Sequence, residues 1–518
     1  MRITNKIIQR NNLSNINTNK IYQDALSTQM STQKKISRPS EDPVVAIRAL
    51  RLRSSVTEIT QYYSKNIPDA ESWLSVTEDG LKNLSEIVTN MISQCTKGSN
   101  GDLTSSDREV IIEQLKALRD EVYVTGDADY AGRYVFTGYR TDTSLSFQED
   151  TTSAYTITEQ LSRADLDTFT HVNMGEVLDI TTGNYNNVDV AETDVEAVEV
   201  HRIRLAYNDC VEGFSPSLSF QQKVTDPATG AESFETVNWP DENGGNPIQT
   251  VHSYDDPYGK AAADADAIIY VPETGELLLG DNRFAQLQEV KDSVDTAADE
   301  SEIRVTYQKE QWKKGELRPE HYFACEAEGI SYNESYLAGE RARQSIEYDV
   351  GFNQTIQVNS TADECFKHYI GREVDDLVYT MQEVVDLEKV VADLEGLLEK
   401  ATGDDAKKLQ GQLDAANKAL VLSKDKAQKL FEGGITVFQK ALDDTNLSIT
   451  NVGTRSSKLD LIKSRMQNQK TTFETLKSEN EDVDITEVAI KLSSAELTYE
   501  AALMSTGKVL QNTLLNFI

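Results

Sequence analysis

His321 and Cys325 stand four residues apart, one helical turn, a possible two-ligand fragment of a metal site. Zinc normally takes three or four protein ligands, and no further His or Cys completes that pair at a usable spacing. The five histidines include no HExxH, and there is neither a GxGxxG nor a GxxxxGK[ST] phosphate cradle. No GxSxG nucleophile elbow occurs. Asp255-Asp256 and Asp264-x-Asp266 have the charge to hold a cation, but acidic pairs of this kind more simply belong to solvated loops. Cys95, Cys210, Cys325 and Cys365 are scattered without a CxxC. They read as buried thiols, since disulfide frameworks are usually short and dense in cysteine. Trp73, Trp239 and Trp312 are too far apart for one aromatic platform and read as three local packing centres. No catalytic, cofactor-binding or metal residue is assigned, and the chain is expected not to be an enzyme.

The elements that carry these residues are set by charge and proline. The chain has 518 residues, 86 acidic and 51 basic, for a formal charge of −35. So acidic a protein is a poor nucleic-acid binder, because phosphate contacts need clustered Lys and Arg. The unbroken apolar run Ala267–Val271 is far below the ~20 residues of a membrane helix, so no membrane insertion is expected. Residues 1–53 carry ten Lys and Arg against three acids, whereas residues 141–360 carry 14 bases against 42 acids. Seven of the ten prolines also lie in 141–360, and none follows Pro319. Proline breaks helix interiors, so long helices are permitted at both ends and discouraged in the middle.

Apolar periodicity agrees. Leu74, Thr77, Leu81, Leu84, Val88, Met91 and Cys95 alternate spacings of three and four, a heptad seam that should end at Gly98–Gly101. Ile111, Leu115, Leu118 and Val122 seam a second helix, capped near Thr104–Asp107. Ile435, Phe438, Leu442, Thr445, Ile449, Val452, Ser456 and Leu459 repeat the pattern near the C-terminus. After a phase slip it resumes at Ile462, Met466, Gln469, Phe473 and Leu476. Beyond a polar break at Ser478–Asp482, one stripe runs from Ile485 through Val488, Leu492, Ala495, Tyr499 and Ala502. A second runs through Leu503, Leu510, Leu514 and Phe517, and a helix apolar on two faces needs neighbours on two sides. The middle holds β-branched runs at Ser153–Thr158, Arg202–Tyr207, Ile268–Val271 and Gln354–Val358, separated by turn signals.

The predicted fold class is therefore α+β: a long antiparallel helical bundle, or coiled coil, built from both chain ends, with an inserted β-rich acidic module. Residues 1–40 and 480–518 form terminal assembly helices, and 41–140 with 361–479 a helical rod. An extra helical hairpin at about 386–430 packs onto that rod, and 141–360 form the surface-exposed β-rich domain. Residues 70–125 should pack against 430–476, and residues 1–35 against 485–518.

Several segments are more specific. Ser37–Leu50 reads Ser-Arg-Pro-Ser-Glu-Asp-Pro-Val-Val-Ala-Ile-Arg-Ala-Leu. Pro39 and Pro43 turn the chain there, and Asp42 can cap a helix that starts at Pro43. This segment resembles the one after the first helix in the hook-associated proteins of the bacterial hook–filament junction, in the flagellin superfamily. Asn66–Glu78, Gly132–Gly138, Val452–Leu459 and Lys508–Ile518 resemble further stretches of that family in the same order, and Glu347–Phe366 does so more loosely. Filament flagellins fit less well, since they usually have an Ala-Gly-rich loop without these two prolines.

The resemblance implies a structural protein, a mechanical adaptor ring joining the hook, through the first hook-associated protein, to the flagellin filament. Its implied partners are the first hook-associated protein, flagellin and further copies of itself. They also include a cytosolic export chaperone on the C-terminal helix and the flagellar type III export apparatus. Its implied location is extracellular, at the hook–filament junction of the flagellum, reached without a cleaved signal peptide. The assembly contacts fall to Ile3, Ile7, Leu13, Ile16, Leu26, Leu503, Leu510, Leu514, Leu515 and Phe517, and the helix-turn motif to Pro39, Asp42 and Pro43. The alternatives are a filament flagellin, or a flagellin-like scaffold displaying an adhesive or cation-binding acidic domain.

Overall fold

A computed structural model describes residues 5–225, 232–241, 245, 247–290, 303–338 and 344–515. The N-terminal helices are α1 (Asn5–Thr32), α2 (Pro43–Gln61), α3 (Ile67–Gly98) and α4 (Ser105–Gly126). Asp42 caps α2, its carboxylate accepting from Val44 N at 3.0 Å and Val45 N at 3.1 Å, with Pro43 as first helical residue. A π turn over Tyr62–Asn66 carries α2 into α3, so the chain inserts a residue there instead of breaking. Thr104 and Asp107 form a reciprocal capping box at the start of α4. After the chain's middle come α7 (Ala362–Cys365), α8 (Tyr369–Leu398), α9 (Asp404–Glu481) and α10 (Ile485–Leu515), and α5 and α6 are short helices within that middle.

Among the described strands of the middle the pairing is antiparallel except for one pair. Strands β1 (Asp129–Tyr130) and β2 (Arg133–Tyr134) make a small hairpin. They are followed by β3 (Thr151–Leu161), β4 (Leu166–Asn173), β5 (Glu196–Arg204), β6 (Ser217–Thr225) and β7 (Glu232–Trp239). Then come β8 (Gln249–Thr250), α5 (Pro257–Ala263), β9 (Ile268–Val271), β10 (Glu276–Leu279) and α6 (Asp281–Gln288). Last are β11 (Ile303–Trp312), β12 (Ala324–Ala327), β13 (Ile330–Tyr332) and the hairpin of β14 (Glu347–Gly351) with β15 (Gln354–Gln357). One sheet has order β13-β12-β3-β11-β6-β7 and a second β4-β5-β10-β9-β8, in which β8 and β9 run parallel. All four β-branched runs picked out from sequence lie in or overlap strands.

By internal contact the chain forms two compact units. One comprises Met1–Glu71, Tyr348–Ile356 and Ser456–Ile518, the other Ser72–Glu347 and Gln357–Arg455. In the second unit the α3 seam is fully buried, and Phe431 of α9 packs on Gly98, where a Cβ would lie 2.3 Å from its ring. The seam of α9 differs from the predicted one. Phe438, Thr445, Val452 and Leu459 are buried as expected, but Ala441 and Ser448 are buried beside them while Leu442 and Ile449 are only half-buried. Small side chains on that flank let the helices approach closely.

The extra hairpin is α8 and the start of α9, turning at Glu399–Gly403. It meets the rod, with Glu388 of α8 3.6 Å from Arg108 of α4, and it also packs on the β module. Leu387, Val390, Leu394, Leu409 and Leu413 form one core with Val172 of β4 and with Val177, Val188 and Val195 of the connection between β4 and β5. The apolar face of the hairpin therefore packs on the β module. Trp312 packs with Phe147, Tyr155 and Tyr207 at 4.8–5.1 Å, Trp239 with Phe220, and Trp73 with Tyr130, three separate centres. All four cysteines are buried and unpaired. Burial pushes the thiols of Cys95, Cys325 and Cys365 up to about 12, and that of Cys210 to about 11.

Candidate assembly surface

The second unit holds a cleft of about 560 Å³ lined by Asp167, Arg202, Tyr258, Glu276, Asp376 and Tyr379 among others. Its charges are spent on one another. Arg202 bonds Asp167 at 2.9 Å and Asp376 at 2.7 Å, and also Glu276. Arg204 bonds Asp376 at 2.6 Å and Glu373 at 3.1 Å, and Tyr258 donates to Glu276 at 2.6 Å. Burial alone would raise the Asp376 carboxyl, but the two guanidiniums drive it well below the usual carboxylate range. This network ties β5 to α8.

His171 lines the same cleft, and His321 and Glu159 are further groups shifted by burial. Burial lowers His171 to about 3 and His321 to about 4, and His321 Nε2 lies 3.0 Å from the Ser144 carbonyl. Burial raises Glu159 to about 7, countered by hydrogen bonds from Tyr307 and from Ala206 N at 2.7 Å. Glu159 is fully enclosed. Asp256 caps α5 through Gly259 N at 3.0 Å, and Asp264 accepts from Asp266 N, so both acidic pairs serve turns.

The first unit is organised around a corner. Helix α1 ends and the backbone of residues 33–35 pairs with 481–483, Lys35 N donating to Glu481 O at 2.8 Å and Val483 N to Gln33 O at 3.1 Å. The buried Glu481 carboxylate takes two bonds from Arg53, at 2.6 and 2.7 Å, and a further contact from Lys34. Arg53 first, and Lys34 after it, hold Glu481 below its ordinary value, and Lys34 does the same for Asp482. Asn480 donates to Val45 O at 3.2 Å, and Ser37 clasps Glu41 through N and Oγ, both at 2.8 Å. The Pro39–Asp42–Pro43 motif therefore sits in a closed ring of hydrogen bonds. Arg53, Lys34 and Glu481 went unread in the sequence because their pairing spans more than 400 residues.

Helices α1 and α10 leave that corner packed on each other, with Leu26, Val488 and Ala495 buried and Val483 and Leu492 beside them. This is the predicted pairing of residues 1–35 with 485–518. It separates the assembly candidates. Leu26, 4% exposed, is spent inside the pair, and Ile16 is half-buried. Ile7, Leu13 and Leu503 face out. Leu510, Leu514 and Leu515 lie on the last turns of α10, whose side chains are outside the described residues, as are Ile3 and Phe517. Missed altogether was a row on α10 at seven-residue spacing: Ile490 and Leu497 are each 67% exposed and Met504 70%. Ser494 and Ala501 lie between them, so the row has the knob spacing and small fillers of a coiled-coil face. Val44, Ile47 and Leu50 add a second exposed apolar row on α2. Soluble monomers rarely expose contiguous apolar rows of this extent. No described helix is long and apolar enough to cross a membrane.

Residues 3–141 match the bacterial flagellin N-terminal helical region. The chain is similar to flagellar hook-associated protein 3 of Escherichia coli K12, 24% identical over 296 residues that cover 57% of this chain and 88% of that protein. It is 29% identical to flagellar hook-associated protein 3 of Salmonella typhimurium over 143 residues, 27% of this chain and 45% of that one. Among solved structures, flagellar hook-associated protein 3 of Legionella pneumophila aligns over 83% of this chain and 97% of its own, at 9% identity. Its TM-score is 0.30, and that superposition carries no weight here.

Proposed function

We propose that this chain, a relative of the flagellar hook-associated 3 proteins, is a structural protein of the bacterial flagellum that joins the hook to the flagellin filament. The observation that carries this reading is the unpartnered row Ile490–Leu497–Met504 on a helix whose opposite face is already filled by α1. Such a helix needs a second neighbour, and repeated side-to-side contacts between copies would supply it. The filament-flagellin alternative is not favoured, because both curated relatives are hook-associated proteins.

In this reading residues 1–40 and 480–518 are the assembly helices, 41–140 and 361–479 the rod, and 141–360 the outward acidic module. Ile7, Leu13, Leu503, Leu510, Leu514, Leu515 and Phe517 contact neighbouring subunits, the first hook-associated protein below or flagellin above. The chain is exported through the type III apparatus with its apolar C-terminal helix shielded by a chaperone, and it performs no catalysis. A strain deleted for it should build hooks and shed flagellin into the medium, and the cloned chain should restore attached filaments. Attached filaments in the deletion strain would refute the reading.

A further inference from the structure

The geometry points to a site for a divalent transition ion of the zinc class at Glu212, His252 and Glu273, on the β-rich module. One donor atom from each of the three side chains lies within 4.8 Å of the other two. His252 Nδ1 is 2.7 Å from Glu273 Oε1 and 4.0 Å from Glu212 Oε1. Zinc bonded to nitrogen and oxygen at about 2.0–2.2 Å holds its donors roughly 3.3 Å apart in a tetrahedron, so sub-ångström side-chain shifts would close the site. Among the described residues this is the one group of three or more His, Cys, Asp or Glu that meets such spacing.

The scaffold is built rather than accidental. Glu212 lies in the connection from β5 to β6, His252 two residues after β8, and Glu273 in the turn between β9 and β10. Asp209 N bonds Glu273 O at 3.1 Å, and Cys210 N bonds Pro272 O at 2.9 Å. Val251 N bonds Tyr270 O at 2.9 Å, so all three donor segments are pinned to the β9–β10 hairpin. The His252 ring is stacked on Tyr254, centroids 5.0 Å apart and nearly parallel, which fixes its plane. The Glu273 carboxylate also keeps coordinating capacity: its Oε1 pairs with His252 Nδ1, while its Oε2 is shielded from solvent and has no hydrogen-bond partner among the described residues. One imidazole nitrogen with two carboxylates is a transition-metal donor set, three protein ligands with a position left open. Calcium would demand six or more oxygens, more than the site offers. The surplus of acids in residues 141–360 raises the local concentration of cations around it.

Calorimetric titration of the full-length chain with zinc chloride alone, and separately with cobalt(II) read by its visible bands, tests this. One equivalent should bind, with the intense visible absorption of low-coordinate cobalt. His252→Ala and Glu273→Gln should each weaken binding by at least about ten-fold, and Glu212→Gln by several-fold, with unchanged circular dichroism. Absence of binding, equal binding by His252→Ala and the parent chain, or equally tight binding of calcium would each overturn the site and reduce the cluster to a His–Glu ion pair. None of these outcomes bears on the junction role.

Discussion

The outward row of α10 offers a quantitative handle. In Ile490→Asp combined with Leu497→Asp, both altered side chains are 67% exposed in the single chain. The fold should therefore ignore them, and the melting temperature should move by no more than about 2 °C. Full burial of a Leu or Ile is worth roughly 1.5–3 kcal/mol, so burying the two-thirds still exposed is worth about 1–2 kcal/mol per residue. Losing both removes about 2–4 kcal/mol from each subunit contact, a factor of roughly 30 to 1,000 in association. Two unpaired carboxylates at that contact add their desolvation cost. Electron microscopy of cells carrying only this variant should show bare hooks. Val488→Asp is the contrast: Val488 is 3% exposed in the α1–α10 core, so that change should separate the two helices in the monomer itself. Attached filaments in the Ile490/Leu497 variant would mean the row faces solvent in the assembled flagellum.

Three further outcomes are expected. Glu159, raised by burial to about 7, favours its protonated form on folding, so its contribution is present below the ordinary carboxylate range near 4.5 and is lost as pH rises through about 7. Between pH 4.5 and 8 the parent should therefore lose about 3 kcal/mol relative to Glu159→Gln in urea unfolding; parallel pH profiles would refute this. Glu481→Gln should loosen the corner by about 1 kcal/mol at pH 7 and less at pH 3, because a carboxylate held down by Arg53 and Lys34 stabilises only above its lowered range. Hydrogen exchange at residues 33–35 reads it, and unchanged exchange counts against the clasp. Gly98→Ala places a Cβ 2.3 Å from the Phe431 ring and should cost about 1–3 kcal/mol of stability, measured by chemical denaturation.

What could be read from sequence was what local spacing encodes. Leu74–Cys95 announce a helix because every third and fourth residue must leave water together, and Asp42-Pro43 announce a helix start because cap and first-turn chemistry are written in adjacent residues. The row Ile490–Leu497–Met504 was also within reach as a seven-residue period, but it was masked by the stronger stripe through Val488 and Ala495. Other features depend on which distant segments meet. The π turn at Tyr62–Asn66 leaves no composition signal, and nothing near Arg202 foretells Asp376. Likewise Glu212, His252 and Glu273 are each unremarkable in their own loops and acquire meaning only when the β9–β10 hairpin gathers them. The hairpin of α8 and α9 was legible as a pair of helices but not in its choice of partner, since the valines of residues 172–195 show no regular period.

The four buried thiols have a temporal meaning for a chain proposed to pass through the type III apparatus. Cys95, Cys210, Cys325 and Cys365 are all buried, and with thiols held near 11–12 they carry almost no thiolate once the packing around them closes. Oxygenated surroundings and alkylating reagents can then reach them only in chains whose cores have not yet formed. Each cysteine becomes a clock hand for its own neighbourhood. A brief pulse of iodoacetamide during secretion would stamp the subunits caught before closure, and the order in which Cys95, Cys325 and Cys365 escape labelling would give the order in which helical seam and sheets assemble.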